Sequence, residues 1–156
     1  CSSDLILAEA LYEKNGQITD EQLDLTINDL RNRANMPRLT NAFVATNGLN
    51  MQEEIRRERT VELAFEGYRR DDLRRWGTAE TVLPLAIRGV KFVGTEYQQK
   101  FPELVIGQDI QVDSEGFIIA QPASARKFQT PKHWLSPIPL QQVQLSKGTL
   151  EQNPGW

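Results

Sequence analysis

Two prolines near the end of the chain, Pro137 and Pro139, constrain its fold more tightly than any other local feature. Each locks φ and biases the preceding residue toward extended backbone, so no helix can begin until both are passed. Pro139 suits the first position of a short helical turn over Leu140 to Leu145, and Asn153-Pro154-Gly155 is a turn signal. Residues 134–156 therefore read as an ordered, proline-fixed tail.

Residues 1–84 read as helical. Leu5, Ala8 and Tyr12 recur at helical spacing, and Asn15-Gly16 stops that helix. Thr19 with Gln22 is a capping box for a second helix. Its apolar stripe is Leu23, Ile27, Leu30 and Ala34, with Pro37 just past the end. The short connection predicts antiparallel packing of these two helices. Residues 38–49 read as loop. Asn50 with Glu53 caps a third helix running to about Glu66, which Gly67 interrupts or bends. Helix resumes from Tyr68 to Trp76, and a last short helix covers Ala79 to Leu83 before Pro84 ends it.

Residues 85–133 lose the helical period. Ile110, Val112, Phe117 and Ile119 alternate around Asp113-Ser114-Glu115-Gly116, which predicts a small β-hairpin. The rest of this stretch reads as irregular loop punctuated by Pro102, Pro122 and Pro131. The expected fold class is thus mostly α: packed helical hairpins, a small β-hairpin and an irregular, proline-rich C-terminal tail.

At 156 residues the chain fits one domain, and a globule of this size buries about 70% of its unfolded surface. The net charge of −3 and the matching of arginines by glutamates in the same segments leave no nucleic-acid footprint. No run is apolar for long enough to span a bilayer as a helix. One cysteine excludes an internal disulfide, and one histidine excludes a multi-histidine metal site. Phosphate-cradling glycine loops and nucleophile elbows are missing, so no cofactor and no catalytic nucleophile are expected.

The runs Glu58-Arg59-x-x-Glu62-Leu63-Ala64-Phe65-Glu66-Gly67-x-Arg69 and Asp72-Leu73-x-Arg75-Trp76-Gly77, with the proline-fixed tail, resemble the C-terminal portion of the SusD/RagB family. Ala8-Glu9-Ala10 and Ile27-Asn28-x-x-Arg31-x-Arg33-Ala34 extend the likeness upstream. It fades between about Gly89 and Ala125. Members of that family are nutrient-binding, usually glycan-binding, lipoproteins on the outer membrane of Gram-negative bacteria. The resemblance implies one C-terminal domain over 1–156, with tetratricopeptide-like helical hairpins. It also implies non-catalytic capture of oligosaccharide and delivery to a TonB-dependent transporter, the SusC-like partner. Family proteins are several times longer, and their lipidated cysteine lies far upstream. Membrane attachment is therefore expected only through a lipid anchor on the full-length protein, and of the two readings of Cys1, a lipidated mature N-terminus or a fragment boundary, the second is favoured.

Glu58 and Glu62 fall one turn apart on a helical wheel, beside Met51, Ile55 and Phe65, on the face expected to point inward. As two carboxylates they suit glycoside hydrolysis. The reading favoured by the nearby cations is structural: Arg31 and Arg33 flank the apolar stripe of the second helix and would form ion pairs with Glu58 and Glu62. Arginines so close are expected to lower the carboxyl pKa values, against the need of a general acid. Asp71, Asp72, Arg74 and Arg75 read as local helical pairs, and Trp76 and Trp134 as core. Tyr97, Gln98 and Phe101 lie in a polar, aromatic-bearing segment expected to be loop; it reads first as a solvent-exposed connector, and as the functional alternative a place where a sugar would be stacked and hydrogen-bonded. A chain with no glycan site of its own, serving as a helical protein–protein scaffold, is the alternative.

Overall fold

Thr19 opens the helical scaffold through a complete capping box. Its hydroxyl accepts the N–H of Gln22 at 3.2 Å, and the Gln22 side chain accepts the N–H of Thr19 at 3.0 Å. This and all other geometry comes from a computed structural model that describes residues 2–156. Cys1, and with it the question of a boundary or a lipid, lies outside the described residues. The chain forms two compact units, one ending at Arg70 and one running from Asp71 to Trp156.

The first unit is helical throughout. It contains α1 (Ser2–Asn15), α2 (Asp20–Asp24), α3 (Ile27–Arg33), α4 (Asn41–Thr46) and α5 (Met51–Glu62). Leu5, Ala8, Ile18, Leu23, Ile27, Leu30, Leu39, Val44, Met51, Ile55 and Leu63 form one core, with Leu11 and Tyr12 against its edge. α1 lies against both α3 and α5, and α5 takes the larger share.

Three boundaries differ from the sequence reading. The second helix is two pieces, because the Thr26 hydroxyl bonds back to the carbonyl of Gln22 at 2.7 Å and Thr26 leaves helical backbone. Ala34, placed on the apolar stripe by spacing, is exposed at the end of α3. Residues 41–46 are helix rather than loop, started by Thr40, whose hydroxyl accepts the N–H of Phe43 at 3.0 Å. α5 ends at Glu62, four residues early, and Phe65 has φ +67 with its ring wholly exposed at 109%. The wheel that set Phe65 inward beside Met51 and Ile55 stops applying once the helix ends.

Beyond α5 come α6 (Arg69–Arg75), α7 (Ala79–Val82), β1 (Ile87–Lys91), α8 (Glu96–Lys100), β2 (Phe117–Gln121) and α9 (Leu140–Leu145). Leu73, Ala79 and Phe92 are the buried apolar residues of the second unit. β1 and β2 pair antiparallel, with Arg88 opposite Ile119 and Lys91 opposite Phe117. The Asp113–Gly116 turn forms, and Val112 makes one antiparallel bridge with Ile118. The principal partner of Phe117–Gln121 is nonetheless Ile87–Lys91, a stretch read as irregular. The fold class is mostly α with one small antiparallel sheet.

Gly116 makes the turn possible. It sits at φ +86, and a Cβ there would lie 2.8 Å from Cβ of Val93. Its carbonyl accepts from the N–H groups of both Phe92 and Val93, at 2.8 and 3.1 Å. In the tail, Pro139 is the cap rather than the first helical residue of α9, and its carbonyl accepts the N–H of Gln142 at 2.9 Å. Gln152 fixes the proline segment from both sides: its Oε1 accepts the N–H of Ile138 and its Nε2 donates to the Ile138 carbonyl, each at 2.8 Å.

Candidate functional site

The carboxylate stripe of α5 faces arginines of α3. Nε of Arg31 lies 3.3 Å from Oε2 of Glu58, and Nη2 of Arg33 lies 2.5 Å from Oε1 of Glu62. The first pair is largely enclosed, the Arg31 side chain being 11% exposed; Arg33 is 62% exposed. Glu54, one turn before Glu58, is buried and meets Arg57 at 3.4 Å. Buried charge is tolerated here because each carboxylate has a cation within reach.

Glu58 departs from the expected electrostatics. Burial, the largest effect, pushes its carboxyl above the ordinary glutamate range; Arg31 opposes this, while Glu62 and Glu54 reinforce it. Desolvation thus outweighs the arginine that was expected to dominate. The two carboxylates lie a turn apart on one helix, each engaged by an arginine. That arrangement ties α3 to α5.

Tyr97 and Gln98 stand on helix rather than loop, and Phe101 is the residue that caps its C-terminal end. α8 spans Glu96–Lys100, and the N–H of Phe101 donates to the carbonyl of Tyr97 at 3.0 Å. The rings of Tyr97 and Phe101 are 42% and 45% exposed, one helical turn apart. Gln98 is exposed and reaches back to the turn before α8, its Oε1 accepting the N–H of Gly94 at 3.0 Å. Its Nε2 is the group left to meet a ligand. Lys100 pairs with Glu96 at 3.0 Å, and its ammonium sits 5.9 Å from the Tyr97 ring centre.

Trp76 and Trp134 are part-buried rather than fully enclosed. Arg75 lies 5.0 Å over the Trp76 ring, and Phe128 meets Trp134 edge-on at 4.9 Å. Nδ1 of His133 accepts the N–H of Gln129 at 3.0 Å, which gives the histidine a structural task. Asp72 pairs locally with Arg75 at 2.9 Å, and Asp71 lies 3.8 Å from Arg74. Among the described residues no group of three or more His, Cys, Asp or Glu side chains is placed to hold a metal ion.

The sheet carries a feature the sequence reading missed. Leu85, Ala86, Arg88, Asp113 and Ile119, all in the second unit, line a cleft of about 470 Å³. Arg88 spans two carboxylates, with Nε 2.6 Å from Oδ2 of Asp113 and Nη1 2.7 Å from Oε2 of Glu115. Oδ1 of Asp113 accepts the N–H groups of Glu115 and Phe117 at 2.9 and 3.0 Å. Burial alone would raise the Asp113 carboxyl, but these backbone donors and Arg88 outweigh it and hold the pKa below the usual aspartate range. The available signal was slight: Ile87 and Val90 are β-branched, yet they do not alternate strictly with polar residues.

The chain is thus mostly helical, with one small sheet and exposed aromatics at α8. The chain belongs to the SusD family, whose model matches residues 5–156. Among solved structures it is similar to a SusD-like carbohydrate binding protein from Bacteroides fragilis NCTC 9343, with 31% identity and a TM-score of 0.62. The match covers 91% of this chain and 26% of that protein, so the chain spans about a quarter of its relative's length. Comparison with curated proteins gives no match.

Proposed function

We propose that this chain is part of a cell-surface protein that captures oligosaccharide without cleaving it and passes it to a SusC-like TonB-dependent transporter. The carrying observation is the SusD-family match along nearly the whole chain, joined to 31% identity with a carbohydrate-binding relative. The family resemblance supports the surface location and the transporter partner. α8 and its cap support a glycan-contacting role: Tyr97 on the helix and Phe101 just past its end, both partly exposed, beside the Nε2 of Gln98. An aromatic face buries the C–H face of a pyranose while an amide meets its hydroxyls.

The test is isothermal titration against a panel of plant, algal and host oligosaccharides, alongside an assay for released reducing ends. The expected result is saturable binding with no release, weakened about tenfold by Tyr97→Ala, the equivalent of roughly 1.4 kcal/mol. Reducing-end release that disappears in Glu62→Gln would replace this reading with a glycosidase. Absence of glycan binding, with stable co-purification of a protein partner, would replace it with a helical interaction scaffold.

A further inference from the structure

The 470 Å³ cleft beside the two-stranded sheet lies within the size range of small-ligand sites, and its walls are of two kinds. Leu85, Ala86 and Ile119 are aliphatic. Arg88 and Asp113 form an ion pair whose charges cancel. Glu115, outside the lining, accepts an N–H from Nη1 of Arg88. The guanidinium therefore has two carboxylates already in place and no surplus positive charge to offer.

We infer that this cleft is a subsite for an uncharged sugar ring, which would set its C–H face on Leu85 and Ile119 and its hydroxyl oxygens on the remaining N–H groups of Arg88, which Asp113 holds in place. Oδ2 of Asp113 is enclosed and its Oδ1 already accepts two backbone N–H groups, so the guanidinium is the polar partner that the pair offers, and a hydroxyl oxygen accepts from it. An anionic sugar brings its own charge next to two carboxylates that share the one positive charge of Arg88. A wholly apolar ligand would strip water from the pair and return no hydrogen bonds. The subsite rests on the oligosaccharide-binding reading and specifies it: neutral glycans in preference to uronate-bearing ones.

The experiment titrates the chain with neutral gluco-, xylo- and manno-oligosaccharides and with oligogalacturonate, following the methyl resonances of Leu85 and Ile119. Those methyls are expected to shift with a neutral oligosaccharide and to stay in place with oligogalacturonate. Ala86→Trp fills the cleft and is expected to weaken neutral binding at least about tenfold. Asp113→Asn keeps the shape and the Oδ1 acceptor but leaves Arg88 without its nearest compensating charge; oligogalacturonate is then expected to bind. Neutral binding that is lost in Tyr97→Ala but unchanged in Ala86→Trp, with still methyls, overturns the subsite and leaves the oligosaccharide reading standing. Preference of the unaltered chain for oligogalacturonate overturns the subsite alone. Binding of no glycan overturns both.

Discussion

Asn28 clasps the backbone of Leu39 from both sides. Its Oδ1 accepts the Leu39 N–H at 2.7 Å, and its Nδ2 donates to the Leu39 carbonyl at 2.9 Å and to Oδ1 of Asp24 at 2.7 Å. Both Asn28 and Leu39 have no exposed surface. Leu39 precedes α4, so its backbone has no helix or strand to pair with, and a side-chain amide does that task. Only an amide supplies a donor and an acceptor in this geometry. The clasp fixes the return of the chain from α3 and seats the Leu39 side chain in the core.

Asn28→Asp keeps the acceptor for the Leu39 N–H but turns the donor into a second acceptor. That oxygen would face the Leu39 carbonyl and the Asp24 carboxylate. Leaving a buried polar group unsatisfied costs about 1–3 kcal/mol, and more for a charged one. The expected loss of stability in urea unfolding is about 3 kcal/mol. Asn28→Ala is expected to lose about 2–3 kcal/mol, since both Leu39 backbone groups are stranded. Losses under 1 kcal/mol in both variants would mean that water or a shifted backbone replaces the amide.

Features of the fold legible in sequence are those written locally. The Thr19 capping box, the Asn50 cap and the Asp113–Gly116 turn each depend on residues within four positions of one another. What the sequence concealed is long-range. Ile87–Lys91 becomes a strand only because Phe117–Gln121 returns beside it, and Thr26 breaks the second helix through a bond that competes with propensity. The candidate site divides in the same way. Exposure of Tyr97 and Phe101 accords with their polar surroundings, whereas the Arg88–Asp113 cleft joins residues 25 positions apart through strand pairing (113 − 88 = 25).

The two arginine–glutamate pairs between α3 and α5 are expected to differ in weight. Arg31→Met leaves Glu58 part-buried without its nearest cation. Breaking a buried pair costs about 3–5 kcal/mol, and the remaining water access at Glu58 puts the expected loss near the lower end, about 3 kcal/mol at neutral pH. Arg33→Met removes a largely solvated partner and is expected to cost under about 1 kcal/mol. Chemical denaturation of the single variants and their double-mutant cycles with Glu58→Gln and Glu62→Gln measures both. Equal losses at the two positions would show that burial does not control the difference.

Glu58 also ties stability to acidity. Its folded carboxyl titrates above the unfolded one, so between those values the folded chain binds more protons than the unfolded chain. The sign follows: ionised Glu58 contributes unfavourably above the folded pKa, and that contribution disappears as pH falls to the unfolded value near 4.5. Relative to Glu58→Gln, the unaltered chain is expected to gain stability as pH drops from 7 toward 4.5. The loss caused by Arg31→Met is expected to shrink over the same range. A parallel pH profile for the unaltered chain and Glu58→Gln would show that the carboxyl titrates alike in both states.

Gly155 is expected to be the least replaceable residue of the tail. It sits at φ +85, and a Cβ there would lie 3.0 Å from Cβ and 3.1 Å from Cα of Lys132. A left-handed L-residue costs about 1–2 kcal/mol before any contact, and crowding a backbone atom adds about 1–3 kcal/mol. The close approach lets the Trp156 indole N–H donate to the carbonyls of Lys132 and Leu135 at 2.8 and 3.1 Å. Gly155→Ala should therefore undock the Trp156 ring while leaving the Gln152–Ile138 clasp, which lies upstream of the substitution. Hydrogen exchange of the Trp156 indole is expected to quicken at least about tenfold, matching about 1.4 kcal/mol of lost local protection, while the Ile138 amide stays protected. Equal loss of protection at both sites would show that the tail docks as one cooperative piece, with Gly155 holding Gln152 in place as well as Trp156.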